Sequence, residues 1–553
     1  MTMSNQGTVR PMALGAFLTA IVLVLAGCGS DSGSSLSSST SALERDTAQG
    51  PVKGVAVDYG VAFKGIPYAA PPVGDLRFAP PAPPAHHDDV LQADTFGGSC
   101  LQPASTFGTA ESTEDCLYLN VYAPEDADNL PVMVWIHGGA FETGSGNIYD
   151  PARLVPQGIV VVTINYRLGI TGFMAHPALS AGADNGASGD YGLMDQQAAL
   201  RWVQDNIASF GGDKTAVTIF GESAGGLSVL SHLASPASRG LFNKAIVESG
   251  SYTAPPPTLS EAESTGESFI SNNFSDCTTV DCLRSLTSEQ LLAAQEASDL
   301  SFIPTLRPDV LPISVSQAIS QGTFNKVPVM MGTNRDEWRL FVGIAELGRI
   351  SARLKAGDTL AEAQAAAALT ESQYVPAIES TLNVNQTTAT GIASAYPAAN
   401  YDNPSVALGA VGTDAIFACN GLDYLNQLAG QVATWGYQFS DRDAPSIIPA
   451  GNTFDLGAAH AFEIQYIFGS EADLEARGMN PDQIALANAM AGYWGRFAKS
   501  ADPNTTDGTG VTWPMLSTGS QMLNFEPAGG PALMSTSAFD TQHLCTAVWR
   551  QPG

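Results

Sequence analysis

The stretch VTIFGESAGG, residues 217–226, decides the fold of this chain. Its first four residues favour a β-strand, and AGGLSVLSHLA (224–234) predicts a helix directly after the turn. A serine between a strand and a helix in the pattern Gly-x-Ser-x-Gly marks a nucleophile elbow, a tight turn that lifts the serine hydroxyl above the sheet. Gly221 and Gly225 are needed because side chains there would collide across the turn. The pattern alone is common, but its flanking strand and helix favour Ser223 as a nucleophile over a serine in a bend.

Strand-like and helix-like segments alternate along the chain from about residue 51. Residues 192–212 carry the apolar face of an amphipathic helix. The segment 340–400, rich in Ala, Glu, Thr and Ser, predicts helices outside the sheet that form a lid or a pocket wall. The alternation predicts an α/β fold with a large, mainly parallel central sheet flanked by helices. Besides 217–220, the apolar runs that predict buried strands are 131–139, 158–167, 243–249, 327–334 and 433–439.

A serine nucleophile needs two partners further along the chain. Its hydroxyl is hardly ionised at neutral pH, so it requires a base that a third group orients. After a nucleophile elbow, the acid comes first and the histidine second. His460 lies in a glycine-bearing loop and is the predicted base, whereas His543 near the C-terminus is predicted to be structural. Glu337 follows a predicted strand and is the predicted acid, with Asp336 as the alternative.

The sequence IHGGAF, residues 136–141, supplies candidate donors for a developing oxyanion. Gly138 and Gly139 follow a predicted strand and resemble the HGGG-type arrangement, in which bare backbone N–H groups face the carbonyl oxygen. Ala224 would add a third N–H. A glycine-rich turn without a ligand is the alternative for this stretch taken alone. The reaction requires no metal ion and no organic cofactor.

The balance of charges argues against a nucleic-acid partner. The chain has 54 acidic and 24 basic residues, a formal net charge of −30. Phosphate binding needs concentrated Lys and Arg, and no basic stripe is present. The acidic surface is expected to keep the protein in solution and, secondarily, to repel anionic substrates. The expected partner is a small-molecule ester, and the oligomeric state stays open.

The N-terminal segment is typical of an exported lipoprotein. Arg10 precedes the apolar run ALGAFLTAIVLVLAGC, which is short for a membrane span, so residues 1–27 are predicted to be an export signal. The sequence Leu-Ala-Gly-Cys ending at Cys28 resembles the bacterial lipobox, in which the cysteine is lipidated. Residues 28–50 are predicted to be a Ser/Gly-rich tether and 51–553 the catalytic domain. We expect a lipid-anchored protein of a bacterial cell envelope, with plain secretion as the alternative.

Ordered motifs from about residue 51 to the C-terminus resemble the type B carboxylesterases, the cholinesterase-like branch of the α/β-hydrolases. They include EDCLYLNVYAP, NYRLG, FGESAGG, GTNRDE and GAAHAFEIQYIF. The resemblance implies a triad and three oxyanion donors, and it also implies that Glu222 tunes the electrostatic field of the site and that Ser249 lies near the triad. Packing alone is an equally good explanation for Glu222 and Ser249. The implied triad is Ser223, Glu337 and His460, and the implied donors are Gly138, Gly139 and Ala224.

Cysteine usage fits an oxidising compartment. Apart from Cys28 there are six cysteines, which allow three disulfides, but counting does not give their connectivity. Whether Cys277 and Cys282 pair stays open, because four intervening residues leave little geometric slack. The resemblance implies two disulfides and a buried ion pair that staple loops: Cys100 with Cys116, Cys419 with Cys545, and Arg77 with Glu114.

One departure from the cholinesterases limits the substrate. Their first disulfide loop carries a tryptophan that holds choline by cation–π attraction. The loop between Cys100 and Cys116 contains no tryptophan, which disfavours choline esters. The sequence therefore predicts a serine carboxylesterase that works through an acyl-enzyme on Ser223. An amidase, carbamate hydrolase or lipase would use the same residues, and a non-catalytic cell-surface binding protein is the alternative outside enzymes.

Overall fold

The structure, a computed structural model, describes residues 43–105, 110–252, 256–298 and 300–550. These residues form two β-sheets. The predicted export signal and Cys28 lie outside the described residues. The strands are β1 (Glu44–Thr47), β2 (Gly50–Lys53), β3 (Val55–Val57), β4 (Gly60–Pro67), β5 (Leu91–Gln92), β6 (Tyr118–Ala123), β7 (Leu130–Ile136), β8 (Val160–Ile164), β9 (Gly212–Glu222), β10 (Lys244–Glu248), β11 (Val329–Asn334), β12 (Thr434–Phe439), β13 (Gln521–Phe525) and β14 (Ala532–Ser535).

The larger sheet has eleven strands in the order β14-β13-β12-β11-β10-β9-β7-β8-β6-β4-β3. Its middle, from β13 to β8, is parallel throughout. Antiparallel strands complete both edges, with β14 at one side and β6, β4 and β3 at the other. The predicted mainly parallel sheet is thus confirmed, and each predicted apolar run overlaps one of its strands.

Helices pack on both faces of this sheet, which explains the continuous apolar runs. In β7, Val132, Val134 and Ile136 belong to the core on one face, and Met133 and Trp135 to the core on the other. Side chains of a strand alternate between its faces, so a strand covered on both sides must be apolar at every position.

Nineteen α-helices are formed by the described residues. The helix predicted within 192–212 ends at Asn206, and a 3₁₀ turn (Ile207–Phe210) leads into β9. The helices are α1 (Gly169–Phe173), α2 (Pro177–Ala181), α3 (Tyr191–Asn206), α4 (Ala224–Ala234), α5 (Leu259–Asn273), α6 (Val280–Ser285), α7 (Ser288–Glu296), α8 (Val315–Gln321), α9 (Arg339–Lys355), α10 (Leu360–Ala367), α11 (Glu371–Leu382), α12 (Gln386–Ala395), α13 (Pro404–Gly412), α14 (Cys419–Ala429), α15 (Ile464–Ile467), α16 (Glu471–Ala476), α17 (Pro481–Ser500), α18 (Leu516–Gly519) and α19 (Thr536–Gln542).

The predicted helical segment 340–400 corresponds to α9–α12, which lie outside the sheet. Helices α9, α11 and α12 enclose a small core together with α13, and this core includes Tyr374 and Ile378. Ala363 and Ala367 of α10 pack separately against Ile350 of α9. A π-helical turn (Thr413–Ala418) joins α13 to α14. The continuous helix Pro404–Ala429 is long and apolar enough to cross a membrane, but 78% of its apolar window is buried in the protein, as in a core helix.

Folded structure begins earlier than the sequence predicts. Strand β1 lies within residues 28–50, the segment predicted to be a flexible tether, and it pairs antiparallel with β2. Within the same segment, Ala48 donates a backbone hydrogen bond of 2.7 Å to Asn206. This part of the predicted tether is therefore attached to the folded unit through β2 and Asn206.

Three disulfides staple the loops. The Cα–Cα distances are 4.9 Å for Cys100–Cys116, 5.3 Å for Cys277–Cys282 and 5.2 Å for Cys419–Cys545. The bond between Cys277 and Cys282 settles the pairing that the sequence left open. Arg77 and Glu114 form the implied ion pair, with Arg77 Nε donating to Glu114 Oε2 at 2.7 Å.

The close contact of α4 with the sheet gives a first test. A Cβ atom at residue 225 would overlap the carbonyl oxygen of Ile136, so we expect Gly225→Ala to lower the melting temperature sharply or to prevent soluble expression. Gly391, on the exposed side of α12, meets nothing within 4 Å and is the matched control. Gly391→Ala should be neutral or stabilising by about 0.5–1 kcal/mol. Equal melting temperatures for the two variants would contradict the proposed packing constraint.

Candidate active site

Ser223 lies at the turn between β9 and α4. Its backbone has φ 55° and ψ −121°, a conformation that L-residues rarely adopt. Two hydrogen bonds hold the turn: the Ser223 N–H donates to Glu248 O at 2.9 Å, and the Leu227 N–H donates to Ser223 O at 2.8 Å. A Cβ at Gly226 would lie 2.6 Å from Glu248 O, so only a glycine lets α4 start this close to β10. The local sequence thus builds the predicted elbow.

Glu337 is fully buried in the turn after β11, and donors surround its carboxylate. Oε1 accepts hydrogen bonds from Ser249 Oγ and from the Asn334 N–H, both at 2.6 Å. Oε2 lies 2.6 Å from Nδ1 of His460. Donors on both oxygens compensate the cost of burying a charge and fix the direction in which the carboxylate points.

The His460 imidazole is 3% exposed and is held between the acid and two aromatic rings. The rings of Phe341 and Phe417 lie 5.1 and 4.9 Å from it, centroid to centroid. Its second nitrogen, Nε2, lies 3.1 Å from Oε1 of Glu222. Within the described residues Nε2 has no hydrogen-bond partner of suitable geometry, so it is available to a group in the cavity.

Asp336 and His543, the other acid and the other histidine considered from the sequence, form hydrogen bonds with residues outside the candidate triad. Burial alone would raise the pKa of Asp336, but hydrogen bonds and charge from Arg442, together with the charge of Arg339, hold it below its ordinary value. Asp336 accepts two hydrogen bonds from Arg442, at 2.8 and 2.9 Å. His543 bonds to Asp414 at 2.6 Å and to Gln438 at 2.9 Å. Neither Asp336 nor His543 lines the cavity that contains Ser223.

Gly138, Gly139 and Ala224 surround Ser223. A Cβ at Gly138 would lie 3.1 Å from the Ser223 Cβ, which places this backbone against Ser223. Gly139 has φ 104°, in the left-handed region that favours glycine. Ala224 is the first residue of α4, so helix geometry leaves its N–H without an intrahelical acceptor. Gly138 and Gly139 thus line the same cavity as Ser223, and Ala224 follows Ser223 directly.

Glu222, Glu248 and Glu463 are fully buried near the triad and form a carboxyl cluster that sequence reasoning identified only at Glu222. Burial, and then the charge of Glu337, raises the pKa of Glu222 well above its ordinary value. Burial, and then the charges of Glu222 and Glu337, also raise the pKa of Glu463 well above its ordinary value. Burial raises the pKa of Glu248 to about 7 against a lowering hydrogen bond from Trp494. Glu463 follows His460 by three residues, a sequence signal that could have identified it.

A cavity of about 610 Å³ opens above Ser223. It is lined by Gly138, Gly139, Glu222, Ser223 and His460, whereas Glu337, Ser249 and Ala224 contribute from behind this surface. The mouth carries the charged residues Glu142, Asp150, Asp473 and Arg477. The apolar lining is Ile148, Tyr149, Leu340, Phe341, Ile447, Ala461, Ile464 and Phe468.

The parallel sheet, the elbow and the histidine delivered from a later loop define an α/β-hydrolase. Residues 41–535 match the Carboxylesterase family, and the chain belongs to that family. It is 36% identical over 490 residues to the para-nitrobenzyl esterase of Bacillus subtilis (strain 168), covering 85% of this chain and 91% of that protein. It is 34% identical over 547 residues to the cocaine esterase of Homo sapiens, covering 93% of this chain and 92% of that protein.

Solved structures agree with this assignment. A PNB esterase structure superposes with a TM-score of 0.72 at 32% identity, covering 91% of this chain and 100% of the other. The structure of a thermophylic PNB esterase superposes with a TM-score of 0.74 at 32% identity, covering 91% of this chain and 99% of the other. The protein is therefore a carboxylic ester hydrolase of the α/β-hydrolase fold.

The raised pKa of Glu248 predicts how stability changes with pH. Below about pH 4.5 the carboxyl is protonated in both states and has no effect. Between pH 4.5 and 7 the unfolded chain loses this proton and the folded chain keeps it, which favours unfolding by an amount that reaches about 3 kcal/mol above pH 7. Glu248→Gln removes this contribution while leaving an acceptor for Trp494. We therefore expect the melting temperature of the variant, relative to that of the wild type, to be higher at pH 8 than at pH 5.

The exposed Glu475 provides the control, because Glu475→Gln changes the same charge at the surface. The difference in melting temperature between Glu475→Gln and the wild type should be similar at pH 5 and pH 8. If the difference in melting temperature between Glu248→Gln and the wild type did not depend on pH, the prediction that the folded protein raises the pKa of Glu248 would be wrong.

Proposed function

We propose that the protein hydrolyses carboxylic esters through an acyl-enzyme on Ser223, with His460 as general base and Glu337 as the acid that orients it. The observation that supports this proposal is the His460 imidazole, which is bonded at Nδ1 to Glu337, has no hydrogen-bond partner at Nε2 among the described residues, and lines the same cavity as Ser223. Glu337 fixes the tautomer with hydrogen on Nδ1, which leaves a lone pair on Nε2 to accept a proton.

In the first half-reaction, Ser223 Oγ attacks the ester carbonyl and its proton passes to His460 Nε2. The negative charge that develops on the carbonyl oxygen is stabilised by the N–H groups of Gly138, Gly139 and Ala224. The tetrahedral intermediate then breaks its bond to the alcohol oxygen, which takes the proton from His460. The alcohol leaves, and the acyl group stays on Ser223.

In the second half-reaction, a water molecule takes the place of the alcohol. His460 accepts a proton from the water, and the hydroxide attacks the acyl carbon. The new intermediate releases Ser223 Oγ, which regains a proton from His460. A carboxylic acid leaves, and the net change is one ester and one water converted to an acid and an alcohol.

The cavity supports an uncharged, largely apolar ester as substrate. Its walls near Ser223 are formed by Leu340, Phe341 and Phe468, side chains that bury hydrocarbon surface favourably. Three of the four charged residues at the mouth are acidic, so a free carboxylate on the substrate would meet repulsion.

Replacement of Ser223 tests the assignment. Ser223→Ala should reduce kcat/KM for p-nitrophenyl esters by at least about a thousandfold, because no other group forms the acyl-enzyme. The melting temperature should stay near that of the wild type. Fluorophosphonate should label the wild type and leave this variant unlabelled.

Ser231→Ala is the matched control, since Ser231 is a buried serine of the same helix that donates to Leu227 O at 2.8 Å. This variant should keep its activity and its labelling. Esterase activity of the Ser223→Ala variant within tenfold of the wild type would refute the proposal.

We also propose that the protein is exported and anchored to a membrane of the bacterial cell envelope through lipid on Cys28. The support is the short apolar segment ending at Cys28 and the Ser/Gly-rich sequence after it. Expressed at full length in a bacterial host, the wild type should take up an alkyne fatty acid and sediment with membranes. Cys28→Ala should lose the label and leave the membrane fraction. Export of the wild type without any label would instead favour plain secretion.

A further inference from the structure

The imidazole of His460 is carried by a stretch of chain without regular structure. Residues 440–463, all of which the structure describes, connect β12 to α15 and contain no helix or strand. Ala461, directly after His460, has φ 65°, in the left-handed region that L-residues rarely adopt. The position of the ring therefore depends on contacts that this loop makes with more rigid elements.

The end of β11 and the turn after it supply these contacts. The Asp336 N–H donates to Ala458 O at 2.9 Å, and the Ala458 N–H donates to Asp336 Oδ2 at 3.1 Å. The His460 N–H donates to Glu337 O at 3.3 Å. The loop is thus tied, next to the histidine, to the turn that also carries the acid.

Asn334, the last residue of β11, holds the other side of the peptide group that precedes His460. Its Nδ2 donates to Ala459 O at 2.7 Å. Ala459 O and the His460 N–H belong to one planar peptide unit, so hydrogen bonds on both atoms fix the orientation of that unit. The same Nδ2 also donates to Glu463 Oε2. Asn334 therefore binds the chain directly before His460 and again three residues after it.

The Asn334 side chain is fully buried, and its amide can be oriented in only one way. Ala459 O is a carbonyl oxygen and only accepts hydrogen bonds, so Nδ2 must face the loop. The Asn334 backbone N–H donates to Glu337 Oε1 at 2.6 Å. One residue thus holds the acid through its backbone and the histidine loop through its side chain.

We propose that Asn334 is a positioning residue, which holds the imidazole of His460 in line with both Glu337 and Ser223. The inference rests on the proposed function, because it assumes that His460 transfers the proton. Without the bonds from Nδ2, the peptide unit before His460 is held on one side only, and the ring can move away from the hydroxyl. A displacement of about 1 Å is enough to slow a reaction about a hundredfold. Since His460 acts in both half-reactions, both become slower.

Asn334→Leu tests this role, because leucine has nearly the shape of asparagine, lacks both donors and keeps the backbone N–H. We expect the rate per active site with p-nitrophenyl acetate, the sites being counted by fluorophosphonate titration, to fall about tenfold to a hundredfold. Asn334 does not line the cavity, so substrate contacts stay the same. Accordingly, kcat and kcat/KM should fall together with little change in KM.

A purely structural role of Asn334 would give a different result. Loss of stability lowers the melting temperature and the number of titratable sites, but it leaves the rate at each intact site unchanged. The proton on His460 Nδ1 provides a second readout, because an N–H proton in a short hydrogen bond to a carboxylate resonates at low field in proton NMR. In Asn334→Leu this resonance should broaden or move upfield.

Asn325→Leu is the matched control. Asn325 precedes the opposite end of β11, and its Nδ2 donates to two carbonyl oxygens, His232 O at 2.9 Å and Ser235 O at 2.8 Å. This variant should lose melting temperature and keep both the wild-type rate per site and the low-field resonance. If Asn334→Leu also kept the wild-type rate per site, the inference would be overturned.

A double variant serves if Asn334→Leu alone does not fold. Glu463→Met removes the carboxyl group that would otherwise lose its partner, and it keeps the bond from Asn334 to Ala459 O. Adding Asn334→Leu to Glu463→Met then removes the bond to Ala459 O. The double variant should be about threefold to tenfold slower per site than Glu463→Met. Equal rates per site would overturn the inference.

Failure of this inference and failure of the proposed function give different results. If the wild type resisted fluorophosphonate while Ser223→Ala stayed active, the acyl-enzyme on Ser223 would be wrong, and the role of Asn334 with it. If Ser223 were titrated normally and Asn334→Leu matched the wild type at each site, only the role of Asn334 would be wrong.

Discussion

The active site depends on a contact of backbone against backbone. Helix α4 starts so close to β7 and β10 that residues 221, 225 and 226 have no room for a Cβ atom. This proximity holds Ser223 in a backbone conformation that L-residues rarely adopt, at the surface of the cavity. Two covered faces of the sheet keep the strands in place, so the position of the hydroxyl follows from the packing of the whole core rather than from local preference.

Hydrogen bonds distribute charge unevenly among the buried carboxyl groups. Glu337 has partners on both oxygens, whereas Glu222, Glu248 and Glu463 each have one oxygen without a hydrogen-bond partner among the described residues. A carboxylate is stable in a buried site only where donors surround it, and a carboxyl without them favours its neutral form. The negative charge next to His460 is thus concentrated where it can stabilise the imidazolium.

The sequence predicted those parts of the molecule that short patterns determine. Strands β7 to β12 and the turn at Ser223 follow from apolar runs and glycines within a few residues, and the helices after residue 340 follow from composition. The parallel strand β13 was not predicted. The preference for Glu337 over Asp336 could not be decided by pattern, because both follow the same strand, and their different partners become visible only in the fold. Phe417 was missed for a similar reason. It reaches His460 from a π-helical turn, which has no sequence signature.

The disulfide between Cys419 and Cys545 has a consequence for the order of assembly. Cys419 directly follows the π-helical turn that carries Phe417, the ring that packs on His460. Its partner is 126 residues further along the chain. The aromatic wall behind the imidazole is therefore covalently secured only after almost the entire polypeptide has been synthesised and oxidised. The proposed nucleophile, Ser223, is in the first half of the chain, yet the candidate active site is completed only when the C-terminal segment has formed this disulfide.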